Sequence, residues 1–547
     1  MPEKTLQLDP HDNVLVALTT LDLGTAVTFG PASSQSTCMV MQTIPVKHKM
    51  AVVDMQPGDL VRMYGMIVGE VVEAIPRGGL LTTQNIRHRA GAYTASRQPV
   101  SHPVPDASPW AGRTFMGYRR ADGQVGTRNY WIVLPLVFCE NRNIEQMKEA
   151  LEEELGYGRA NSKYRQHVRE LIHVQTNGRH AAEAAAQVHA ERVFPNVDGV
   201  RFITHQLGCG GTRQDARSLC GLLAGYVHNP NVAGATVLSL GCQNAQAALL
   251  MEEFRAFDPE MRKPLILVDQ QKSGLESSLM EQAIDRTFAA LAQANQAQRT
   301  PAPLSALTVA LQCGGSDGFS GISANPTVGY VSDIVAGLGG KTILSEFPEL
   351  HGVEQELINR CATDELAQRF SALMQDYAAR AKAAQSDFAF NPSPGNIRDG
   401  LITDAIKSAG AARKGGGSTV RGVLDYPEYV AAPGLNLQCT PGNDIESVTA
   451  QVGAGSNIVL FTTGLGTPTG NPAAPVIKVS TNSTMARRMS DIIDFDAGVI
   501  VTGDATVQEC GEKLLELTID VASGKHFTKA ELRGQIDFIP WKRGVSL

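Results

Sequence analysis

The chain has 547 residues, which at about 150 residues per domain gives room for three or four domains with well-filled cores. Hydrophobic residues make up 43% of the chain and charged residues 19%, a balance that excludes disorder as its main state. The net charge is −7 and Lys and Arg are not clustered, so we expect no nucleic-acid partner.

Neither a membrane span nor a secretion signal is evident. The longest apolar stretch runs from Trp131 to Cys139 and is interrupted by Pro135, whereas a membrane helix needs about 20 apolar residues. Residues 1–10 lack the apolar core of a signal peptide. We therefore expect a soluble, cytoplasmic protein without a membrane partner. Nine cysteines, with no CxxC pair, argue against a disulfide framework and a zinc finger.

Residues 1–95 predict a small all-β domain. Short β-prone runs alternate there with turn signals such as Gln56-Pro-Gly-Asp, and no helical periodicity is present. Prolines at 103, 105 and 109 predict a stiff, extended linker over residues 96–114. We expect this domain to pack near the active site, and its deletion to leave a folded body.

From residue 115 onwards, alternating strands and helices predict an α/β body with parallel sheets. The apolar run Tyr130–Phe138 is typical of a strand buried on both faces. We divide the body into a first α/β domain over 115–300 and a second over 301–547, whose C-terminal part is rich in glycine. A long helical region is predicted over residues 353–384.

Four cysteines follow predicted apolar strands, three of them beside glycine: Cys139, Cys209, Cys242 and Cys313. Ligands of open α/β sheets bind beyond the carboxyl ends of the strands. Thiolates bind iron or zinc, and cysteines from separate loops can hold an iron–sulfur centre. The alternative is that each is a small buried apolar residue. We predict one shared iron centre, which requires the four sulfur atoms to lie within about 10 Å of one another.

Further residues near predicted loops complete the candidate site: Arg128, Asn129, Gly314, Gly315, Ser316, Asp317, Lys414, His48 and His205. The loop Gly314–Asp317 could form an anion nest or a bare tight turn. Arg128 precedes the strand that leads to Cys139; it could bind a substrate carboxylate in bidentate fashion or anchor the domain through an ion pair. The two histidines are candidates for proton transfer.

Longer blocks of the sequence resemble the altronate/galactarate dehydratase family. The segment Gly117–Tyr130 is similar to the family's opening signature. Further blocks follow in the family's order: Leu311–Pro326, Leu344–Glu349, Asn391–Asn396, Thr440–Gly442 and Phe461–Gly464. The N-terminal part resembles the family's small β domain, called SAF, through Asp12-Asn-Val and Val46-Lys-His-Lys.

The resemblance implies a lyase that removes water from a sugar acid such as altronate or galactarate. The product would be a 2-keto-3-deoxy acid, and iron(II) or a similar metal would be required. One relative splits sulfite from sulfolactate instead. The four cysteines fall on positions where cysteine is expected in this family.

The sequence departs from the family in the small domain. The family has His-Pro near its start and His-x-His-Asn near its end, whereas Asp9-Pro-His11 and Thr82-Thr-Gln-Asn85 stand here. Three other histidines could take over their role: His11, His48 and His88.

These observations together predict a metal-assisted sugar-acid dehydratase. The expected cofactor is iron, as Fe²⁺ or an iron–sulfur cluster, with another divalent metal as the alternative. The expected partner is a small hydroxy acid, and a homo-oligomer is left open. Two other functions remain: a sulfo-lyase acting on a sulfonated hydroxy acid, and a non-catalytic sugar-acid-binding protein.

Overall fold

The computed structural model describes residues 4–31, 33, 35–158, 163–175 and 191–546. The chain forms two units. Unit 1 comprises residues 1–128, 221–231 and 299–543, and unit 2 comprises residues 129–220, 232–298 and 544–547. The predicted fold class is confirmed, because small antiparallel sheets precede an α/β body with a seven-stranded parallel sheet.

The N-terminal strands of unit 1 are β1 (Thr5–Leu6), β2 (Val14–Ala17), β3 (Ala26–Phe29), β4 (Ser36–Met39), β5 (Lys49–Ala51), β6 (Leu60–Met63), β7 (Met66–Val71) and β8 (Ile86–Arg87). They form three antiparallel sheets in the orders β1-β2-β5, β3-β4 and β6-β7-β8. Along β6, Val61 and Met63 are buried whereas Arg62 is exposed, as the two-residue period of a half-buried strand requires.

The remaining strands are β9 (Thr114–Arg119), β10 (Val125–Gly126), β11 (Tyr130–Pro135), β12 (Gly199–Phe202), β13 (Val232–Ser239), β14 (Leu265–Asp269), β15 (Arg299–Pro303), β16 (Thr308–Cys313), β17 (Lys341–Leu344), β18 (Val420–Leu424), β19 (Gly434–Gln438), β20 (Ile458–Thr463), β21 (Val476–Ser480) and β22 (Phe495–Asp496). Strands β10, β9 and β15 form an antiparallel sheet in unit 1.

The α-helices are α1 (Asn141–Glu152), α2 (Lys163–Gln175), α3 (Arg213–His228), α4 (Ala247–Phe257), α5 (Gln270–Ser273), α6 (Glu276–Ala294), α7 (Ala324–Gly337), α8 (Glu354–Arg360), α9 (Asp364–Ala383), α10 (Pro394–Arg398), α11 (Asp404–Ala412), α12 (Asp444–Gly453), α13 (Ser483–Arg488), α14 (Val507–Ala522) and α15 (Lys529–Arg533). Within the described residues, the helices are all too short or too polar to traverse a lipid bilayer.

The long helix predicted over residues 353–384 is two helices, α8 and α9. The chain turns at residues 361–363, and the side chain of Thr363 caps α9 by accepting a hydrogen bond from the N–H of Leu366. A threonine followed by two acidic residues is a helix start, so this break had a local signal in the sequence.

Unit 2 contains a four-stranded parallel sheet in the order β12-β11-β13-β14. The chain passes from β11 to β12 on one side and then to β13 on the other, so the order reverses at β11. Strand β11 ends at Pro135 rather than at Phe138. Cys139 therefore lies in the short 3₁₀ turn Phe138–Glu140 beyond the strand.

The larger sheet of unit 1 is parallel throughout, in the order β18-β19-β17-β16-β20-β21-β22. The chain fills one side of β16 with β17 to β19 and the other side with β20 to β22. The order therefore reverses at β16, and such a switch point opens a crevice at the carboxyl ends of the strands. Cys313 is the last residue of β16.

The N-terminal β part shares a hydrophobic core with the rest of unit 1. Val61 and Ile86 belong to the same buried cluster as Phe319, Ile402 and Ile406. This shared core does not support the expectation that the β part is dispensable for folding of the body, because its removal would uncover apolar side chains that water now cannot reach.

The predicted linker is also fixed to unit 1. Arg97 forms an ion pair with Asp364 at 2.6 Å and donates a hydrogen bond to the carbonyl of Cys361 at 2.9 Å. The N–H of Gln98 donates to the side chain of Asn359 at 2.9 Å. The segment is extended, as its prolines predict, but it lies along α8 instead of hanging free.

Deletion of residues 1–95 should therefore destabilise unit 1. We expect the truncated protein to be insoluble or to melt without cooperativity, because the apolar cluster around Phe319 and Ile406 becomes exposed. Soluble yield and differential scanning calorimetry measure this directly. A soluble fragment 96–547 with a cooperative transition would instead establish an independent body.

Candidate active site

A buried group of charged side chains surrounds Cys313 at the carboxyl end of β16. The ammonium of Lys414 lies 2.7 Å from the Cys313 sulfur. Glu349 and Glu346 place carboxyl oxygens 3.3 Å and 3.7 Å from the same sulfur. Lys407 forms an ion pair with Glu349 at 2.6 Å. We call Cys313, Glu346, Glu349, Lys407 and Lys414 the acid–lysine centre.

Three segments at the switch point bring this centre together. Glu346 follows β17 by two residues and has a φ of 64°, a left-handed conformation that is uncommon outside glycine. Lys407 lies on α11, and Lys414 lies in the 3₁₀ turn directly after that helix. The charged residues of the centre are also buried, and Glu346 and Lys414 are each only 1% exposed.

The two glutamates of the centre differ in protonation. Burial and the neighbouring charge of Glu349 raise the pKa of Glu346 well above its ordinary value. Burial opposes ionisation of Glu349 too, but Lys407 and Lys414 outweigh it and lower the pKa of Glu349. Burial also raises the pKa of the Cys313 thiol, against the effect of Lys414. Glu346 therefore favours the protonated form more than Glu349 does.

A second group, which we call the His–Asp group, consists of His88, His351 and Asp404. His351 Nδ1 lies 3.0 Å from Asp404 Oδ2, and the rings of His88 and His351 stack with centroids 4.9 Å apart. Burial lowers the pKa of His88 to about 4, whereas Asp404 outweighs burial and raises the pKa of His351. Of the three histidines expected to replace those missing from the small domain, His88 is the one that belongs to this group.

The two groups influence each other electrostatically. Burial is the main cause that raises the pKa of Asp404 to about 7, and the charge of Glu349 adds to it while Lys407 opposes it. Lys407 also donates a hydrogen bond to Asn391 Oδ1 at 3.1 Å. We therefore treat the acid–lysine centre and the His–Asp group as parts of one candidate active site in unit 1.

Several buried polar atoms of this site lack a protein partner. Oε1 of Glu346, Oδ1 of Asp404 and Nδ2 of Asn391 are buried without a hydrogen bond. Buried polar groups in native proteins are nearly always paired, so such atoms indicate a place for a polar ligand, water or an ion.

At Gly314–Asp317, two of the four N–H groups of the predicted anion nest are bonded within the protein. The N–H of Gly314 donates to the Thr462 carbonyl at 3.0 Å, and the N–H of Asp317 donates to Ser320 Oγ at 2.9 Å. The loop instead presents the fully buried carboxylate of Asp317 to Lys47, at 2.9 Å. The anion-binding role of this loop stays a prediction.

The other loop residues have structural contacts. Gly315 has a φ of 59°, and its carbonyl accepts hydrogen bonds from the N–H groups of Gly464 and Leu465. The carbonyl of Ser316 accepts a hydrogen bond from Asn396 at 2.7 Å. These contacts fix the loop between the ends of β16 and β20.

Arg128 forms a buried ion pair, which favours the anchoring alternative of the two predicted roles. Its side chain is fully buried and forms a bidentate pair with Glu531, with distances of 2.7 Å and 3.0 Å. Its remaining nitrogen donates to the carbonyls of Thr127 and Val521. The guanidinium group therefore has a protein carboxylate in the place where a substrate carboxylate was predicted.

Asn129 and His205 stabilise loops of unit 2. The buried amide of Asn129 donates to the carbonyls of Asn196 and Ala294. His205 is 3% exposed; its Nδ1 accepts from the N–H of Leu207 and its Nε2 donates to the carbonyl of Pro135 at 2.9 Å. Both ring nitrogens are occupied, which does not support the predicted role in proton transfer.

His48 is half-buried in unit 1. Its Nε2 lies 3.1 Å from the carbonyl of Arg398, and its Nδ1 is buried without a partner. Burial lowers the pKa of His48. The neighbouring residue Lys47 pairs with Asp317 and Asp399, so His48 lies beside the Gly314–Asp317 loop. Its predicted role in proton transfer stays a prediction.

Three of the four predicted cysteines come together in unit 2. They follow three adjacent strands at the switch point of the smaller sheet and are exposed, and we call them the thiol triad: Cys139, Cys209 and Cys242. The N–H of Phe138 donates to the carbonyl of Leu207 at 3.0 Å, and the side chain of Asn244 donates to the carbonyl of Cys209 at 2.7 Å. Burial and then the charges of the other two thiolates raise the pKa of Cys139, so the three groups lie within electrostatic reach.

Cys313 belongs to unit 1, where the ammonium of Lys414 and two carboxyl groups are its polar neighbours. A shared centre of all four cysteines stays a prediction.

The donor sets differ in how well they suit a metal ion. Cys313, Glu346 and Glu349 have ligand atoms within 4.8 Å of one another, but two ammonium groups already neutralise them. The His–Asp group also has its ligand atoms within 4.8 Å, with one buried carboxylate oxygen unpaired. The thiol triad offers soft thiolate donors, which suit iron or an iron–sulfur cluster.

Glu346, Glu349, Lys407, His351 and Asp404 are the residues that sequence reasoning did not single out. The two glutamates had a signal, because they flank Phe347-Pro348 directly after an apolar strand, at the kind of strand end where the cysteines were noticed. His351 and Asp404 are 53 residues apart and share no motif, so no local pattern could have paired them.

Comparisons with known proteins cover nearly the whole chain. The family model described as "Altronate/galactarate dehydratase SAF domain" matches residues 3–89. The model "D-galactarate dehydratase/Altronate hydrolase, second domain" matches residues 117–295. The model "D-galactarate/Altronate dehydratase, C-terminal" matches residues 304–546.

Three curated proteins show what the chain is similar to. It is 33% identical to an altronate dehydratase of Escherichia coli over 543 residues, 99% of both chains. It is 32% identical to a galactarate dehydratase (L-threo-forming) of the same organism, over 90% of this chain and 89% of that one. It is also 32% identical to a (2R)-sulfolactate sulfo-lyase subunit beta of Chromohalobacter salexigens, over 78% of this chain and 97% of that one.

Replacing Arg128 with lysine tests its structural role. Arg128→Lys keeps the charge but loses the bidentate pair with Glu531, so we expect the free energy of unfolding to fall by about 2 kcal/mol with KM unchanged. The matched control is Arg113→Lys, because the pair of Arg113 with Glu516 is exposed. This substitution should change the free energy of unfolding by less than about 0.5 kcal/mol. A raised KM with unchanged stability would restore the substrate-binding role.

His205 should make stability depend on pH in the acid range. Burial lowers its pKa in the folded protein from 6.5 to about 4, so the folded state binds this proton less readily than the unfolded chain. The stabilisation is present above pH 6.5 and is lost as the pH falls towards 4, by at most about 3 kcal/mol. His205→Gln should flatten this part of the melting-temperature profile, whereas His167→Gln on exposed α2 should leave it unchanged. Parallel profiles for wild type and His205→Gln would refute the assignment.

Proposed function

Because the chain belongs to the altronate/galactarate dehydratase family, we propose that it removes water from a hydroxylated sugar acid of the altronate or galactarate type and forms a 2-keto-3-deoxy acid. It is an enzyme of the hydro-lyase class. The observation that carries the proposal is the acid–lysine centre, in which two glutamates with pKa values shifted in opposite directions lie beside two ammonium groups.

The chemistry to be catalysed is difficult because the hydrogen on C2, next to the carboxylate, is only weakly acidic. Its removal leaves a dianionic enediolate, which nearby cations must stabilise. The departing 3-hydroxyl also needs a proton, since hydroxide is a poor leaving group. A base, an acid and cations are therefore required within one small space.

The acid–lysine centre supplies all three. Glu349, whose pKa is lowered by the two lysines, takes the proton from C2. Glu346, whose pKa is raised, gives its proton to the 3-hydroxyl, and the C3–O bond breaks with release of water. Lys407 and Lys414 stabilise the negative charge on the substrate carboxylate and the enediolate.

The product of elimination is an enol, which becomes the 2-keto acid when the 2-hydroxyl loses a proton and C3 gains one. The proton taken up by Glu349 balances the one given up by Glu346. The total charge of the pair therefore stays the same through a turnover. One proton exchange from Glu349 to Glu346, directly or through water, then restores the starting protonation.

We propose iron, as Fe²⁺ or an iron–sulfur cluster, as the metal cofactor of the protein, with another divalent metal as the alternative. The thiol triad fits such a centre, because its three thiols follow adjacent strands of one sheet and are exposed. When bound, an iron centre with an open position would supply Lewis acidity towards a hydroxy acid.

Sulfite elimination from a sulfonated hydroxy acid is the second candidate. The 32% identity to a sulfo-lyase subunit over 78% of the chain favours it. The same C2 proton would be removed, and sulfite rather than hydroxide would leave C3.

Lys414→Gln tests the acid–lysine centre with a panel of sugar acids and sulfolactate. Keto acid and sulfite are measured separately, and the wild type should release keto acid. The variant should lose about 10²- to 10³-fold in kcat, the usual cost of removing one group that stabilises developing charge.

The matched control is Lys478→Gln, because Lys478 is equally buried in unit 1, on β21, and donates a hydrogen bond to the side chain of Gln535 at 3.1 Å. It should fold and turn over like the wild type. Full activity of Lys414→Gln would contradict the proposed mechanism, and release of sulfite without keto acid would replace the hydro-lyase proposal with the second candidate.

Iron content tests the thiol triad. Protein purified without oxygen should contain iron, and Cys209→Ser should lose most of it, because each thiolate contributes a bond to the centre. Cys220→Ser, at a buried cysteine of α3, is the control and should keep its iron. Cys313→Ser separates the two arrangements, since iron is kept if the triad suffices and lost if all four cysteines share the centre.

A further inference from the structure

The His–Asp group draws its members from three distant parts of unit 1. His88 follows β8, His351 follows the 3₁₀ turn Phe347–Leu350, and Asp404 is the first residue of α11. Their nitrogen and oxygen donor atoms nevertheless lie within 4.8 Å of one another. Three donors that converge from separate segments are not explained by local helix or turn geometry.

The spacing suits a metal ion as well as a hydrogen bond. Bonds of about 2.1 Å that meet at a right angle place their donor atoms about 3 Å apart. His351 Nδ1 and Asp404 Oδ2 are 3.0 Å apart. The other carboxylate oxygen, Oδ1, is buried and has no hydrogen bond, although the residue is 0% exposed. This unpaired oxygen is the second observation that points to a ligand.

The charges around this group contrast with those of the acid–lysine centre. There, the carboxyl groups of Glu346 and Glu349 lie 3.7 Å and 2.6 Å from lysine ammonium groups, which repel a metal cation. In the His–Asp group the described contacts are a weak hydrogen bond from the Ala405 N–H to His88 and ring contacts of His351 with His88 and Phe388. None of these contacts brings a lysine ammonium into hydrogen-bond distance of the donors, although the charge of Lys407 acts on Asp404 from the acid–lysine centre.

We propose that His88, His351 and Asp404 bind one divalent transition-metal cation of the borderline class, such as Fe²⁺, Mn²⁺ or Zn²⁺. Two imidazoles and one carboxylate are a common donor set for such ions and leave coordination positions open. His351 is 27% exposed at the side chain, so the open positions are accessible. The role of this ion towards the substrate rests on the proposed function: an ion next to the acid–lysine centre would add a positive group for the substrate carboxylate to those of Lys407 and Lys414.

The site is tested by metal binding without substrate. Full-length Cys209→Ser protein is stripped with a chelator and titrated with Co²⁺, so that the thiol triad does not contribute. We expect one Co²⁺ per chain with visible absorption bands of nitrogen and oxygen ligation and no sulfur-to-cobalt charge-transfer band. Calorimetric titration with Mn²⁺ and Zn²⁺ gives the affinities.

His351→Gln and Asp404→Asn should weaken binding by at least about tenfold, and His88→Gln should do the same. His11→Gln is the matched control, because His11 forms an exposed pair with Asp9 at 2.8 Å and should not affect binding. Cooperative melting of each variant shows that it is folded. Because three ligands are replaced separately, the test still stands if one variant does not fold.

Unchanged Co²⁺ binding in all three variants, or no binding by the parent protein, would overturn the site. Failure of the proposed function is a separate result. Binding that is lost in the variants, together with no turnover of any sugar acid, would leave the site in place and reject the function. Turnover of a sugar acid by the iron-containing wild type, together with no Co²⁺ binding by the stripped Cys209→Ser protein, would reject the site and leave the function in place.

Discussion

The burial of two carboxyl groups with two ammonium groups at the end of β16 is the constraint on which the site depends. Water is excluded from this place, so each charge needs an opposite charge in contact with it. Removal of one partner would leave an uncompensated buried charge, at a cost of about 3–5 kcal/mol. Burial raises the pKa of Glu346, whereas Lys407 and Lys414 lower that of Glu349, so the two carboxyl groups differ in their tendency to ionise.

The N-terminal β part completes this arrangement. Lys49 is fully buried and donates hydrogen bonds to the carbonyls of Lys47 and Gly400, and Lys47 pairs with Asp317 in the loop after β16. Thr403, the cap of α11, donates to the carbonyl of Val68 on β7. Helix α11 carries both Asp404 and Lys407, so contacts with the β part orient the helix that links the His–Asp group to the acid–lysine centre.

The two parallel sheets use the same topology for different chemistry. Each reverses its strand order next to a strand that leads to a cysteine, β11 in unit 2 and β16 in unit 1. In unit 2 the three cysteines of the thiol triad are exposed and lie within electrostatic reach of one another. In unit 1 Cys313 is buried among charged side chains, where its raised pKa keeps the thiol protonated and leaves it as a hydrogen-bonding partner of the glutamates.

The sequence by itself determined the architecture, because strand hydrophobicity, glycine-rich turns and the order of elements are local properties. It also located the strand ends that carry cysteines, including Cys313, and the loop that holds Asp317. It could not show that Arg128 pairs with Glu531 or that His205 bonds the carbonyl of Pro135, since only the fold brings these partners together. Only the tertiary structure decided which charges are buried together, and burial sets both the pKa values and the pairing. The candidate active site could therefore be recognised only from the fold, which packs the ends of β16 and of the N-terminal β part near α11.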